Sequence, residues 1–303
     1  MKRYLIGQYG SYDEHKMKRD FRPHFFGVEA CLIDKDQDVY RLQEEARTQQ
    51  FQVGVHFPLR AGRAPYRDAP FLSLDEVERA AVYRHVEQEL KDLQHVCPAY
   101  VLFHYPKPVL LDREVDWGQW HFHHESEYRF TDETSEKHWL ETTEALFSWL
   151  TQTSKQYGFM PILEFDAVTR WIYQSDRLER LLDQYPTIRL CLDTGRLHLQ
   201  SVLDPQFDPI ELCQRFASYT ALVHLWNFQY VNGEKLHYRH PVLPNQKPED
   251  GWAPIEEMLQ AIRDGNPNVW IQFEHASHMV TDEELEQCYQ WVDELLHKEV
   301  HVR

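Results

Sequence analysis

Metal-capable side chains close four apolar segments in the second half of this sequence. Glu164 and Asp193 close PILEF and RLCLD, His224 lies in LVHLWN, and Glu274 closes WIQFE. A single buried histidine or glutamate at such a place is most often a hydrogen-bonded structural group, but four on successive segments favour a shared role. Three carboxylates and one imidazole that meet in space suit Mn²⁺, Mg²⁺, Co²⁺ or Zn²⁺ and repel one another without a cation. The sequence therefore predicts one divalent-metal site at these four residues.

Two histidines occupy the same place in earlier segments. His56 lies in VGVHFP and His104 lies in VLFHYP. If these segments are strands of one barrel, their carboxyl ends converge on a single pocket, and residues far apart in sequence meet there. We therefore expect His56 and His104 to line that pocket and contact a substrate.

The elements that would position these residues follow a regular alternation. Short runs rich in β-branched and aromatic residues alternate with helical stretches, which is typical of a parallel sheet with crossover helices. Eight strands are predicted, near residues 3–8, 26–33, 51–57, 100–105, 159–165, 188–193, 221–227 and 269–274. No GxGxxG turn follows the first strand, and 11 glycines in the whole chain argue against a nucleotide-binding sheet. The predicted fold is α/β, a (β/α)8 TIM barrel forming a single domain over residues 1–303.

Helical patterns separate most of these strands. They lie near residues 37–49, 74–95, 133–157, 176–185, 208–217, 253–264 and 281–298. Ser73, Asp176 and Thr281 are candidate N-caps, and Ser73-Leu-Asp-Glu and Thr281-Asp-Glu-Glu both fit a capping box. The seven helices are the crossovers that a parallel barrel requires.

Three connections are predicted to be long loops. Residues 9–25 join the first two strands without a convincing helix, and residues 106–132 and 228–252 follow the fourth and seventh strands. The last two lie after the carboxyl ends of strands, where barrel enzymes carry their chemistry. We expect them to form the walls of a substrate site.

Composition narrows the class of partner. The chain has 32 Lys and Arg against 49 Asp and Glu, a formal net charge of -17, which repels a polyphosphate backbone and argues against nucleic acid as a partner. Its five cysteines are scattered, odd in number and without a CxxC pair, so we expect reduced thiols rather than disulfides. The N-terminal apolar stretch is too short for a signal peptide, and no run approaches the ~18 apolar residues that span a membrane. We expect a cytoplasmic protein without a membrane partner.

The segments LEFD, LCLDTGRLHL, LVHLWN and IQFEHAS, in that order, resemble the xylose isomerase-like TIM barrel superfamily. This superfamily includes sugar isomerases, 3-epimerases, inosose dehydratase and the endonuclease IV group. The resemblance extends over strands two to eight, and it is specific to the superfamily rather than to one member. It implies a metal-dependent isomerase or epimerase that acts on a sugar, sugar acid or cyclitol, with a lyase or dehydratase as a related outcome.

The resemblance also implies roles for individual residues. Glu164 and Glu274 match carboxylates that both bind the metal and exchange protons with the substrate, which makes them the expected catalytic residues. Asp193 and His224 match the remaining ligands of one divalent ion. A metal bound to adjacent carbonyl and hydroxyl oxygens acidifies the carbon between them, and two carboxylates can then remove and return its proton.

The chain departs from the family pattern at two positions. Arg196 stands where a DTGH-like motif has histidine, the nearest imidazole is His198, and the HxxD-like motif ends in Asn227. Arginine cannot bind a metal, but its planar fork can hold an oxyanion or sugar oxygens. We expect Arg196 and His198 to contact substrate, with a surface pair between Arg196 and Asp204 or Asp208 as the alternative.

Two other functions remain open. A degenerate barrel that binds a ligand without catalysis is compatible with the changes at Arg196 and Asn227. An endonuclease IV-like phosphodiesterase would use more ligands, but Arg196 and Tyr238 each replace an expected ligand, and the acidic surface argues against DNA. Its matching residues would be His56, His104, Glu164, Asp193, His224, His240 and Glu274.

The long connections supply further candidates for substrate binding. Segment 116–130, DWGQWHFHHESEYRF, is rich in aromatic residues and histidines, and we expect Trp117 and Trp120 to face the apolar side of a sugar ring. Its HxHH cluster favours a lid or a homodimer surface over a separate metal site. Arg239 and His240, in LHYRHP, are expected to hold substrate oxygens.

The loop after strand three carries three arginines. Arg60, Arg63 and Arg67 either balance nearby acids or recognise an anionic substrate. The segment EHASHM contains no glycine for a phosphate grip, so a sugar phosphate would need these arginines.

Overall fold

The computed structural model of the chain describes residues 2–63 and 67–297. Its strands are β1 (Tyr4–Tyr9), β2 (Gly27–Cys31), β3 (Gln52–His56), β4 (Tyr100–Tyr105), β5 (Val109–Leu111), β6 (Tyr128–Phe130), β7 (Met160–Phe165), β8 (Arg189–Asp193), β9 (Thr220–Leu225), β10 (Asn227–Val231), β11 (Glu234–His240) and β12 (Trp270–Phe273). Eight of them form a closed parallel barrel in the order β1-β12-β9-β8-β7-β4-β3-β2. All eight predicted strands are confirmed, each within two residues of its expected limits.

The helices of the described residues follow the predicted pattern with additions. They are α1 (Glu14–Asp20), α2 (Asp36–Gln49), α3 (Glu76–Leu93), α4 (Glu136–Tyr157), α5 (Arg170–Tyr173), α6 (Arg177–Gln184), α7 (Thr194–Leu203), α8 (Pro209–Phe216), α9 (Ile255–Gly265) and α10 (Asp282–His297). The seven predicted helices are all present.

Three helices were not predicted: the four-residue α5, α1 and α7. α1 lies in 9–25, which was wrongly predicted to be a loop; it buries only Met17 and Asp20, so its apolar periodicity is weak. α7 begins at Thr194 immediately after β8, without the loop that usually separates a strand from a helix. Its N-cap is the last residue of the strand, Asp193.

The predicted N-caps had different outcomes. Thr281 and Glu284 form the predicted capping box, with reciprocal hydrogen bonds of 2.9 and 3.2 Å. The cap of α3 is Asp75, which accepts the N–H groups of Val77 and Glu78, so the prediction of Ser73 was wrong by two residues. Asp176 occupies the cap position of α6, but its side chain makes no cap hydrogen bond.

The two long connections after strands are partly ordered into small sheets. β5 pairs with β6 within 106–132, and β10 pairs with β11 within 228–252. Because the two strands of each connection hydrogen-bond to one another, each connection is held more firmly than an irregular loop of the same length would be.

The chain divides into two compact units, which we call unit one and unit two. Unit one comprises Met1–Ile6, Glu14–Phe25 and Leu192–Arg303, and unit two comprises Gly7–Asp13 and Phe26–Cys191. The prediction of a single domain over 1–303 stays a prediction.

Each unit has its own aromatic core. In unit one, Phe25 packs on Tyr4, Phe273 and Tyr289 with ring centroids 5.4–6.0 Å apart. A fully buried aromatic side chain stabilises a fold by about 1.5–3 kcal/mol.

In unit two, Phe71 packs on Phe103, Tyr83 and Trp149 with ring centroids 5.4–5.8 Å apart.

Among the described residues, the structure has no helix whose length and apolar character would let it cross a membrane.

Candidate functional site

The ends of β3, β4 and β7 bring two imidazoles and one carboxylate together in unit two. His104 and Glu164 are register partners on β4 and β7, and His56 is the last residue of β3. The Oε2 atom of Glu164 lies 3.2 Å from Nε2 of His56 and 3.1 Å from Nε2 of His104. One ligand atom from each of the three lies within 4.8 Å of the others. Because the Glu164 side chain is only 1% exposed, the cluster is a buried set of donors suited to a divalent cation.

His104 has a carboxylate on each side of its ring. Nδ1 lies 3.0 Å from Asp68 and Nε2 lies 3.1 Å from Glu164, yet neither nitrogen makes a hydrogen bond of normal geometry. Burial by itself lowers the pKa of His104, but Asp68 and Glu164 outweigh burial and raise it. Burial likewise lowers the pKa of His56, while Cys31 and Glu164 raise it well above its ordinary value. Both rings therefore sit in a field that favours positive charge.

A buried lysine joins two further acids beside this cluster. Nζ of Lys107 lies 3.0 Å from Asp68 and 2.9 Å from Asp166. Burial lowers the pKa of Lys107, but Asp166 and Asp68 raise it above its ordinary value, so the ammonium is charged. Burial raises the pKa of Asp68, while His104 and Lys107 bring it well below its usual range. These groups therefore form an ionised network.

In unit one, Asp193 is fixed at the start of α7. Its Oδ1 accepts the backbone N–H of Arg196 at 2.9 Å, and its Oδ2 lies 3.6 Å from Nε of the same arginine. The hydroxyl of Thr194 donates to the carbonyl of Trp226 at 2.7 Å. A Cβ at Gly195 would lie 2.2 Å from the Trp226 ring, so only glycine fits there. The sequence Asp-Thr-Gly thus holds this carboxylate at the strand end.

The other two predicted ligands lie near each other in the same unit. Nδ1 of His224 is 3.6 Å from Oε2 of Glu274, and Nη2 of Arg239 is 3.0 Å from Oε1 of Glu274. Glu274 raises the pKa of Arg239, although burial opposes this effect. In unit one, therefore, carboxylates lie beside arginine guanidinium groups.

Two histidines predicted to bind substrate are held by the fold of unit one. His198 is buried, with Nε2 3.2 Å from the carbonyl of Gly251 and its ring 4.7 Å from Phe228; burial lowers its pKa to about 4. Nδ1 of His240 lies 2.9 Å from Nε2 of Gln246. The substrate roles of His198, Arg196, Arg239 and His240 stay predictions.

Asn227, where the family pattern has aspartate, has a structural role. Its Oδ1 accepts the N–H groups of Phe228 and Ala253, and its Nδ2 donates to Gln246 at 2.9 Å. Since Gln246 also contacts His240, Asn227 fixes the start of β10 and the surroundings of that imidazole.

The aromatic segment 116–130 is anchored through its tryptophans. The indole N–H of Trp120 donates to Oδ1 of Asp166 at 3.1 Å, and that of Trp117 donates to the carbonyl of Asp112 at 2.9 Å. The two rings meet edge to face at 5.6 Å. Trp120 is buried, so only Trp117 is partly open to a ligand, and substrate contact by either stays a prediction.

The HxHH cluster does not form a three-ligand group within the described part of the chain. His124 instead caps a short 3-10 turn by accepting the N–H of Ser126. Of the three arginines after β3, Arg60 donates to the carbonyls of Ile33 and Asp34. These contacts favour a structural role for Arg60.

The remaining two arginines contact nearby side chains. Arg63 binds both oxygens of Asp36, at 2.8 and 2.9 Å. Arg67 contacts His123.

Comparison with known proteins concerns the whole chain. No family model and no curated protein matches its sequence. The chain is 13% identical to a D-tagatose 3-epimerase-like protein, with 98% of this chain and 97% of that chain covered and a TM-score of 0.60. The chain is 12% identical to the IOLI protein with a bound zinc atom, with 97% of each chain covered and a TM-score of 0.63. It is 11% identical to a xylose isomerase domain protein from Planctomyces limnophilus, with 97% of this chain and 96% of that chain covered and a TM-score of 0.57.

The chain shares its (β/α)8 barrel fold with these solved structures. At such low identity the likeness concerns the fold alone, because one barrel fold carries many chemistries. The function of this barrel therefore depends on the side chains at its strand ends.

Three residues with buried side chains in this site were not predicted as site residues. Asp166 is two residues beyond Glu164, and residues two apart share one face of a strand, so the segment LEFD carried a readable signal. Lys107 and Asp68 lie outside the strands, where no periodicity marks the direction of a side chain. The contacts of Asp68 with His104 and Lys107 are visible only in the folded structure.

Proposed function

We propose that this chain is a divalent-metal-dependent isomerase or epimerase of a sugar, sugar acid or cyclitol. The observation that carries the proposal is the buried carboxylate of Glu164 between the imidazoles of His56 and His104 at strand ends. Solved structures of this fold support it, since they include a D-tagatose 3-epimerase-like protein and the IOLI protein with a bound zinc atom.

Charge balance supports a divalent cation. Asp68, Glu164 and Asp166 carry three negative charges on buried side chains, and Lys107 supplies one positive charge among them. The excess of two negative charges must be met by protonated imidazoles or by a divalent ion. The ring nitrogens of His104, buried without hydrogen bonds of normal geometry, also fit such an ion.

The proposed ligands are Glu164, Asp193, His224 and Glu274. Imidazole together with carboxylates suits Mn²⁺, Co²⁺ or Zn²⁺, and Mg²⁺ is accepted by the carboxylates. The ion would supply Lewis acidity, polarising a substrate carbonyl and its neighbouring hydroxyl.

Two carboxylates are assigned the proton transfer. Glu274 is held by Arg239 through Oε1, and we propose that it removes a proton from the acidified carbon. Glu164, which two imidazoles hold through Oε2, returns a proton to that carbon. In epimerisation the return occurs on the opposite face, and in isomerisation it occurs at the neighbouring carbon.

Phosphodiester hydrolysis is the second candidate. The contact of His56 and His104 with Glu164 favours it, because these three residues match part of an endonuclease IV-like ligand set. Arg196, Tyr238 and the net charge of -17 argue against it.

The test is a screen of ketoses and cyclitols in deuterated water, with metal-stripped protein and with Mn²⁺, Co²⁺, Zn²⁺ or Mg²⁺ restored. We expect a metal-dependent mass increase at a carbon-bound position, read by mass spectrometry and NMR. A non-catalytic barrel would bind ligand without deuterium uptake, and a phosphodiesterase would cleave an abasic-site duplex instead. Either result would replace the proposed function.

A further inference from the structure

The aromatic segment 116–130 and the end of β5 form the walls of an open groove in unit two. Its volume is about 790 Å³, within the range of ~300–1,000 Å³ that is usual for small-molecule sites. Four aromatic residues of the wall are half-buried: Trp117, Phe122, Tyr128 and Phe130. Each of these side chains therefore keeps part of its surface open to a ligand.

The groove adjoins the strand-end cluster of unit two through one residue. Trp120 lines the groove, and its indole N–H donates to Oδ1 of Asp166 at 3.1 Å. Asp166 directly follows β7 and lies two residues beyond Glu164. The indole of Trp120 therefore lies between the groove and a carboxylate at the end of β7.

The wall of the groove is fixed by its own contacts. Trp117 donates its indole N–H to the carbonyl of Asp112 at 2.9 Å. Oε1 of Glu127 accepts the backbone N–H groups of His123 and His124 at 3.1 and 3.2 Å, and β6 pairs with β5. A wall that is already ordered loses little conformational entropy when a ligand binds, which favours affinity.

Two acids of the wall can accept hydrogen bonds from a ligand. Asp116 and Glu125 are exposed residues of the groove, and one oxygen of Asp116 accepts the N–H of Gly118 at 3.0 Å, which orients that carboxylate. An ionised carboxylate only accepts hydrogen bonds, so these acids suit a ligand that carries hydroxyl groups.

The aromatic rings supply the apolar part of the site. The guanidinium of Arg113 lies 3.9 Å from the ring centroid of Phe130 and covers one face of that ring, which leaves Trp117, Phe122 and Tyr128 as the better contacts for a ligand. A sugar ring has an apolar C–H face and a rim of hydroxyl groups. Aromatic faces beside carboxylates therefore match a sugar.

A protein partner fits this groove less well. The large apolar side chains that the described residues expose are Tyr9, Tyr40, Val77, Leu236 and Tyr238, and none of them lies in the groove. The centre of a protein interface is usually depleted of charged residues, whereas here half-buried rings and charged side chains share one wall. The groove therefore favours a small polar ligand.

We propose that this groove is a subsite for a second sugar ring, so that the substrate of the strand-end site is a glycoside rather than a free monosaccharide. The binding of the second ring stands on the groove alone, and its place in a substrate rests on the proposed function.

The first experiment measures sugar binding by the full-length protein with Mn²⁺ present. The probes are D-glucose, D-galactose and D-fructose and the disaccharides built from them, in titration calorimetry. We expect at least one disaccharide to bind about tenfold more tightly than either of its constituent sugars, because only the disaccharide also contacts the aromatic wall. Saturation-transfer NMR should place the protons of its second ring against aromatic side chains. Equal affinities, or no binding of any of these sugars, would overturn the proposal.

The second experiment removes single rings from the groove. Tyr128→Ala and Phe122→Ala should each weaken disaccharide binding by about tenfold and leave monosaccharide binding unchanged, and Tyr128→Phe should keep most of the affinity. Tyr40→Ala is the matched control, since Tyr40 is 62% exposed on α2 of the same unit. Circular dichroism and thermal unfolding check each variant, and Phe122→Ala decides if Tyr128→Ala does not fold. Wild-type disaccharide affinity in the groove variants, or an equal loss in Tyr40→Ala, contradicts the subsite.

A second copy of the chain is the other occupant to test. Sedimentation velocity of wild type and Tyr128→Ala gives the oligomeric state of each. We expect the same state for both proteins. If Tyr128→Ala converts a dimer into a monomer and leaves sugar binding unchanged, the groove is an interface between copies and the proposal is wrong.

A kinetic measurement separates this inference from the proposed function. In deuterated water with Mn²⁺, Tyr128→Ala should raise KM for a glycoside that exchanges deuterium and leave its kcat nearly unchanged. If disaccharides bind through Tyr128 but no sugar exchanges deuterium, the proposed function fails and the subsite stands. If free ketoses exchange and Tyr128→Ala changes neither binding nor KM, the subsite fails and the proposed function stands.

Discussion

The acids of unit two and the acids of unit one are neutralised in different ways. In unit two, Glu164, His104 and Lys107 have side chains 1%, 5% and 4% exposed. In unit one, Glu274 and its partner Arg239 are 21% and 44% exposed. In unit two, the ammonium of Lys107 and the imidazoles lie beside the acids, and in unit one arginine guanidinium groups do so. Because planar guanidinium groups bind oxyanions well, we infer that the arginines of unit one are better suited to contact substrate oxygens than the lysine and imidazoles of unit two.

The largest expected effect comes from removing the charge of Glu164. Glu164→Gln should lower kcat/KM by about 100- to 10,000-fold, because the amide neither binds a metal as strongly nor transfers a proton. The melting temperature should change by only a few degrees, about what a loss of 1 kcal/mol produces. Deuterium exchange and thermal unfolding measure the two quantities. Glu274→Gln is the parallel variant, and full metal-dependent activity in either one would remove that residue from catalysis.

Glu89 of unit two is a half-buried acid on which burial outweighs the nearby charge of Arg63. Oε1 of Glu89 is buried without a hydrogen bond, and burial raises the pKa of Glu89 to about 7. Since this pKa lies above the unfolded value, the neutral acid stabilises the fold fully at low pH. The contribution, about 3 kcal/mol at most, is lost as the pH rises through about 7.

Urea unfolding at about pH 5 and about pH 8 measures this effect. Glu89→Gln should remove that part of the pH dependence, whereas Glu76→Gln on the same helix, whose side chain is 88% exposed, should not. Identical pH profiles for wild type and Glu89→Gln would exclude the explanation.

The setting of Asp193 depends on Gly195. Gly195→Ala should destabilise the protein by about 1–3 kcal/mol, because the new methyl group would meet the Trp226 ring. Gly118→Ala is the control, since its nearest neighbour is a side-chain oxygen of the exposed Asp116 at 3.1 Å. Denaturant unfolding gives both values, and equal losses would show that Trp226 can move aside.

The smallest effect is expected at Arg196. If it holds a substrate oxyanion, Arg196→Met should weaken the binding of anionic sugars by about 1–3 kcal/mol and leave neutral sugars unchanged. Arg180→Met, which removes a surface pair with Asp176, serves as the control in titration calorimetry. An equal loss for both kinds of sugar would mean that Arg196 serves Asp193 rather than substrate.

The strands and the residues at their ends could be predicted from the sequence because buried strands appear as short apolar runs. PILEF and RLCLD are apolar runs that end in an acid, and such runs locate both the strand and the polar group. Helix α7 was not readable, because TGRLHLQ follows β8 with no turn residues between them. The contacts of Asp68 and Lys107 were not readable either, since tertiary packing sets the direction of a loop side chain.

The structure gives Arg196 an acidic neighbour that was not among the expected ones. The structural alternative was a surface pair with Asp204 or Asp208, and the Nε atom of Arg196 lies 3.6 Å from Oδ2 of Asp193, the N-cap of its helix. An (i, i+3) pair across a strand-to-helix junction could be recognised only once the helix start was known.

The N-cap hydrogen bond of Asp193 makes one carboxylate serve two purposes. Oδ1 accepts the N–H of Arg196, and because each carboxylate oxygen has two lone pairs, the cap would leave the side chain able to bind an ion. The start of α7 thus orients this carboxylate in advance, and loss of the cap would cost about 1 kcal/mol.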